Sequence, residues 1–201
     1  MAVITICRQY GTGGINIGRK IAKKLNYRFI YLDELIAGCK EIGLDVDLER
    51  IEGRPPKLIE RLFLLDRKKV KETLKDVMKS AAQGDNAVIC GWGGQVLLGN
   101  HPGARHLRIV GSDYSRIRHI MNSAGVPHSQ AKEIVEKCNR DQSLFSQFFF
   151  SVDFSDPKLY HAVFNIDQIS SDEICEIASS MLTEITEEMA PGARTGAASP
   201  L

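Results

Sequence analysis

The chain has 201 residues, a length that suits one domain with at most a small insertion. Its 43% apolar content is enough for a buried core, and Lys+Arg 26 against Asp+Glu 25 leaves a formal charge of +1. So even a balance excludes a general grip on nucleic acid, which needs clustered excess cation; recognition of an anion has to be local.

Residues 2–6 are a short β-branched run that ends in polar and glycine residues, as in a buried parallel strand. The spacing turns helical over 14–25, where Ile17, Ile21, Ala22 and Leu25 share one face and Arg19, Lys20, Lys23 and Lys24 lie mostly on the other. Residues 28–31 read as a second strand, and Asp33 stands where an N-cap belongs, before a helix to about residue 42. Residues 43–56 are acidic and end in Pro55-Pro56, which marks a loop or a short irregular helix. Helical periodicity returns over 58–65 and 70–82 and closes at Gly84-Asp85-Asn86. A strand over 87–90 is stopped by Gly91-Trp92-Gly93-Gly94, and another over 106–110 is followed by Ser112-Asp113 as a helix start. Helices over 116–122 and 129–141 are separated by Gly125-Val126-Pro127. Residues 162–166 are the last strand, and 171–188 the last helix, with a Ser-x-x-Glu opening. Residues 190–201, rich in Ala, Gly, Pro and Ser, are expected to form a disordered tail. Five short strands alternating with helices predict an α/β fold with a parallel sheet and right-handed crossovers.

Cys7, Cys39, Cys90, Cys138 and Cys175 contain no C-x-x-C pair, and Cys7, Cys90 and Cys175 lie within or beside apolar runs, where the thiol acts as a small hydrophobe. Neither a disulfide framework nor a zinc site is expected. The first residues lack the charged start and long apolar run of a signal peptide, and no segment reaches the ~18 apolar residues of a membrane span. The expectation is a cytoplasmic protein with no membrane and no nucleic-acid partner.

The segment Arg8-Gln9-Tyr10-Gly11-Thr12-Gly13-Gly14-Ile15-Asn16-Ile17-Gly18 lies between the first strand and the first helix. Successive backbone N–H groups there can point inward as an anion cradle, and the helix start adds partial positive charge. The alternative is a tight turn that binds nothing. The segment does not follow G-x-x-x-x-G-K-[ST]: with Gly13 as the second glycine, Arg8 stands at the first, Gly14 at the lysine and Ile15 at the Mg²⁺-binding hydroxyl. It does not follow G-x-G-x-x-G either, because Asn16 takes the last place.

The run from Ile4 to Gly14 resembles the opening of the bacterial cytidylate-kinase-like family, in the P-loop nucleoside-monophosphate-kinase superfamily: an apolar strand, then S-R-[EQ]-[YF]-G-S-G-G, with Cys7 and Thr12 replacing the serines. Tyr31-Leu32-Asp33-Glu34-Leu35-Ile36 is similar to the family's Y-D-x-E-L-I, and Ala87-Val88-Ile89-Cys90-Gly91-Trp92-Gly93 to its V-I-V-G-R-G. Phe154-Ser155-Asp156-Pro157-Lys158-Leu159-Tyr160 is similar to the segment before its last strand. The resemblance implies a P-loop NTPase-type three-layer sandwich with a five-stranded parallel sheet and a helical lid. The domain would cover residues 1–189, with the lid at about 126–155. It also implies ATP and Mg²⁺, and phosphoryl transfer to a small acceptor, a nucleoside monophosphate such as CMP. Two departures stand out: Trp92 replaces the arginine of G-R-G, and Gln142–Phe150, in the lid region, contains no arginine. They leave open a nucleotide-binding regulatory protein with degenerate or absent turnover, or a kinase for a non-nucleotide acceptor.

Arg116 and Arg118 open the helix after the fourth strand, where this architecture places phosphate-contacting arginines; the alternative is an exposed helix face. Arg140 is the cation nearest the arginine-poor lid, so a catalytic phosphate contact is expected there. Asp33 suits acceptor binding or proton acceptance as well as capping, and Trp92 suits stacking on the acceptor. Arg8, Gly11, Thr12, Gly13, Gly14 and Asn16 are the expected nucleotide-binding residues, the alternative for Arg8 being a strand end in solvent, and Thr12 and Asn16 are the small oxygen-bearing side chains within reach of Mg²⁺. Asp85 and Asp153 read as turn residues. Phe145, Phe148, Phe149 and Phe150 are expected in the core or at a homodimer contact, the alternative being a base-stacking or lid role, and the histidines show no metal-like grouping.

Overall fold

Along the first strand, side chains alternate between two separate hydrophobic clusters, and this alternation sets the layering. Val3 and Cys7 join one cluster, while Ala2, Ile4 and Ile6 join the other. A strand with two apolar faces has to be covered on both. The computed structural model describes residues 2–31, 37, 40, 67–83 and 86–188. The helix expected after Asp33, the acidic loop 43–56, the periodic stretch 58–65, Asp85 and the tail 190–201 lie outside those residues, apart from positions 37 and 40.

Five strands, β1 (Val3–Arg8), β2 (Arg28–Ile30), β3 (Ala87–Cys90), β4 (Ala104–Val110) and β5 (Ala162–Asn165), form a parallel sheet in the order β2-β3-β1-β4-β5. On one face, α1 (Gly14–Leu25) and α6 (Ser171–Glu188) bring Ile17, Ile21, Ile174 and Leu182 onto Ile4, Ile6 and Leu107. On the other face, α2 (Arg67–Gln83) and the short α3 (Gly94–Leu97) bring Leu74, Met78 and Leu97 onto Val3 and Ile89. Two more helices, α4 (Asp113–Ala124) and α5 (His128–Phe145), join through Ile117, Ile120, Ala131 and Val135. With β1 central, and connections leaving it in both directions, its carboxyl end lies at the point where α/β sheets open a crevice.

Where boundaries differ from expectation, packing and capping explain them. α4 starts at Asp113 because Ser112 caps it, its hydroxyl accepting from the Ser115 N–H at 3.3 Å. α5 continues past residue 141 into a π-helical turn, Ser146–Phe150, which places Phe149 and Phe150 in the core, with Phe145 and Phe148 packed against them. The last helix opens on a reciprocal box: Ser170 Oγ accepts from the Glu173 N–H at 3.2 Å, and Glu173 Oε2 accepts from the Ser170 N–H at 2.9 Å. Asp153 makes a turn contact as expected, accepting from the Ser155 N–H at 2.8 Å.

β4 carries three polar residues, and two of them, His106 and Arg108, are buried. His106 is 3% exposed, with Nδ1 2.7 Å from Thr5 Oγ1. Its backbone N–H donates to His161 Nδ1 at 3.0 Å, and its Nε2 is buried with no partner among the described residues. Burial, then the nearby His161, Arg105 and His101, hold the imidazole down at about 4, against an ordinary 6.5. Above pH 6.5 the ring is neutral in folded and unfolded chains and contributes no pH dependence. Between 6.5 and about 4 only the unfolded chain takes up the proton, so stability falls as pH falls. Urea unfolding across this window should lose up to about 3 kcal/mol, and His106→Gln should flatten the profile. A variant with the wild-type slope would remove His106 as the cause.

Candidate functional site

At the end of β1 the chain has to turn into α1 within a few residues, against the backbone of α4. Gly11 and Gly13 take φ of 86° and 68°, in the left-handed region open to glycine. Space is equally strict: a Cβ on Gly11 would lie 2.9 Å from the Arg116 carbonyl oxygen. Gln9 anchors the loop to β4. Its N–H donates to the Ile109 carbonyl at 3.0 Å, and its Oε1 accepts from the Gly111 N–H at 3.0 Å. Thr12 is buried and donates its hydroxyl to the Gln9 carbonyl at 2.8 Å. The amides of Gly11, Gly13, Gly14 and Ile15 have no acceptor among the described residues. Open amides at the start of a twelve-residue helix are an anion cradle.

The second wall rises where β3 ends. Gly91, Trp92 and Gly93 take φ of 89°, 58° and 72° in succession, a left-handed turn that costs a tryptophan about 1–2 kcal/mol. Burial holds it there: Trp92 is 4% exposed and meets the Phe145 ring edge-on at 5.8 Å. Its indole Nε1 is buried with no partner among the described residues. A Cβ on Gly93 would lie 2.5 Å from the Phe150 ring. Gly93→Ala should therefore cost about 1–3 kcal/mol in urea unfolding, by strain and overpacking together. A loss below about 0.5 kcal/mol would mean that the turn adapts.

Between loop and turn lies a cavity of about 80 Å³, lined by Arg8, Trp92, Gln95, Asp141 and Phe145 among others. Asp141 Oδ2 is buried without a partner among the described residues. Burial pushes this carboxyl up, against the opposite pull of Lys137 and Arg140. Trp92 and Asp141, both lining residues of the cavity, thus each carry a buried polar atom without a partner among the described residues, one a donor and one an acceptor; buried polar groups in that state call for a ligand or water. Beneath it, the Arg108 guanidinium donates to Cys7 Sγ at 3.3 Å, to Tyr160 Oη at 3.2 Å and to the Phe154 carbonyl. Burial, the largest effect, raises the Cys7 thiol.

The expected site residues divide by position. Gly11, Thr12, Gly13 and Gly14 form the loop, and Arg8 and Trp92 line the cavity beside it. Arg8 Nη2 donates to Tyr31 Oη at 3.1 Å, with the guanidinium 5.3 Å from that ring's centre. Asn16 is exposed in the first turn of α1. Arg116 is fully buried: Nη1 and Nη2 donate to Asn139 Oδ1 at 2.9 and 3.0 Å, and Nη2 to Asp113 Oδ1 at 3.1 Å. Arg118 and Arg140 are exposed on α4 and α5. Asp33 lies outside the described residues. Of residues 142–150 the phenylalanines pack in or against the core, and the Gln142 amide donates to the Arg8 carbonyl at 2.8 Å, tying this segment to the loop.

Sequence reasoning gave no site role to Asp141, Gln95, Cys7 or Arg108. A signal for the last pair existed: Cys7 and Arg108 are register partners on β1 and β4, and polar residues two apart in an apolar strand share a face. Asp141 carries no comparable mark, because its importance comes from burial alone.

The sequence profile of the cytidylate kinase-like family matches residues 3–168. No curated protein matches the chain. Among solved structures, a protein from Eubacterium ventriosum superposes with a TM-score of 0.73 at 17% identity, covering 91% of this chain and 98% of that one. A gluconokinase from Sinorhizobium meliloti superposes at 0.53 with 16% identity, covering 94% and 95%. A shikimate kinase from Bacteroides thetaiotaomicron superposes at 0.51 with 16% identity, covering 92% and 98%. The fold is the P-loop kinase α/β sandwich. Among the described residues, no helix is long and apolar enough to cross a membrane.

Proposed function

The chain belongs to the cytidylate kinase-like family, and on that premise we propose that it moves the terminal phosphoryl group of ATP to CMP or a close relative. Phosphoryl transfer is the chemistry of P-loop kinases, which generally use ATP with Mg²⁺. The observation that carries the reading is the row of open amides at Gly11, Gly13, Gly14 and Ile15, which suits the polyphosphate of a nucleotide. The neighbouring cavity supports an acceptor with a paired donor and acceptor edge. Cytosine has one: Trp92 Nε1 would donate to the ring nitrogen or carbonyl, and Asp141 would accept from the 4-amino group, the usual partner of a carboxylate. The acceptor phosphate would then lie toward the loop, at Arg8. Catalysis would come from positioning and charge neutralisation in a water-poor space.

Mg²⁺ fits these residues only loosely. Among the described residues no group of His, Cys, Asp and Glu is placed to hold a metal, and the Thr12 hydroxyl is engaged by Gln9. Asn16, exposed beside the loop, would reach an ion carried in by the phosphates, through water. When bound, the ion would neutralise phosphate charge.

Melting curves should rise with millimolar ATP and Mg²⁺, and Gly13→Val, which strains the left-handed position, should abolish the rise. No shift in the wild type would remove every nucleotide-centred reading. An ADP-release assay across CMP, dCMP, UMP and AMP then separates a kinase from a binder. Binding with no turnover on any acceptor would favour a regulatory protein, the reading that Trp92 in place of arginine motivates. Asp141→Ala should lower kcat/KM for CMP about 10- to 100-fold and leave ATP binding intact, whereas an unchanged value would dismiss the base contact.

A further inference from the structure

The loop has Gly14 where the common phosphate-loop pattern has its lysine. The packing supplies a steric reason. A Cβ on Gly14 would lie 2.8 Å from Arg8 Cβ and 3.3 Å from Arg8 Cδ. The space into which a side chain at 14 would grow is already filled by the stem of Arg8. Its Cβ cannot step aside, because Arg8 is the last residue of β1, in register with Ile109, and its carbonyl is held by Gln142. Arg8 lines the cavity, and its guanidinium lies over the Tyr31 ring and is bonded to its hydroxyl. The cation between the amide cradle and the acceptor cavity therefore comes from the strand, not from the helix.

We infer that Arg8 takes the place of the loop lysine, contacting the transferred phosphoryl group, and that residue 14 is glycine to leave it room. The inference rests on the kinase reading. A planar guanidinium suits this task, since it forks to two phosphate oxygens and cannot lose its proton. In the transfer, an acceptor phosphate oxygen forms its bond to phosphorus as the bond to the bridging oxygen breaks. ADP leaves with that electron pair, and Arg8 gives up no proton.

Calorimetric titration with ATP and Mg²⁺ tests the inference without requiring turnover. Arg8→Met should weaken ATP binding about 10- to 100-fold, the worth of a lost charged hydrogen bond, and Arg8→Lys, which keeps the charge and loses the fork, should fall between Arg8→Met and the wild type. Gly14→Lys alone should lower the melting midpoint, because its Cβ meets that of Arg8. Adding Arg8→Gly should restore both the midpoint and ATP affinity by exchanging the two positions. Arg8→Met binding ATP as tightly as the wild type overturns the inference and leaves the kinase reading standing. A folded double variant that binds no better than Arg8→Met overturns the shared-space argument. Wild-type protein that fails to bind ATP overturns the kinase reading itself.

Discussion

Two close approaches of backbone determine the spacing at the carboxyl edge of the sheet. Gly11 lies against the backbone of Arg116, and Gly93 lies against the ring of Phe150, each at a distance that leaves no room for a Cβ. Both residues also hold φ in the left-handed region. The first approach seats the phosphate loop on α4, and the second brings the turn after β3 under the end of α5. The cavity is what remains between them. Its character follows from the residues that close it: Trp92 and Phe145 supply apolar walls, while Trp92 and Asp141 each hold a buried polar atom with no partner among the described residues.

Buried guanidinium groups brace this edge. Arg108 ties β1 and β4 to the segment ending at Tyr160, and Arg116 joins α4 to α5 through Asn139 while also pairing with Asp113 on its own helix. Burying such cations is costly unless their donors are satisfied, so these pairs define geometry more than they add stability. Arg116 spends its terminal nitrogens on neighbours. Arg8 lines the cavity with one guanidinium nitrogen on the Tyr31 hydroxyl. Two arginines with similar sequence credentials thus have different positions for reasons visible only in three dimensions.

The alternation of short apolar runs with helical spacing made the parallel sheet legible, and the glycine-rich turn after the first strand marked the site. The residues from Gly14 to Leu25 and from Ala87 to Cys90 folded within the bounds their patterns implied. The phenylalanines of 145–150 also followed expectation, as core. What sequence could not convey was the destination of buried polar residues. Arg116 looked like a phosphate contact from its place after a strand, yet its side chain is fully buried against Asn139 and Asp113. Asp141 looked like an ordinary helix residue, because nothing local reveals that one carboxylate oxygen will be enclosed without a partner. At Ser146, Phe149 and Phe150 the absence of arginine has a packing explanation, since these side chains are buried where charge would be expensive.

The central claim is that bare main-chain amides after β1 receive the phosphates of a nucleotide. Amide chemical shifts of isotopically labelled protein, followed as ATP and Mg²⁺ are added, test it most directly. The account predicts the largest changes at the N–H groups of Gly11, Gly13, Gly14 and Ile15, saturating together. Saturable changes that leave those amides unmoved, or no change at all, would contradict it.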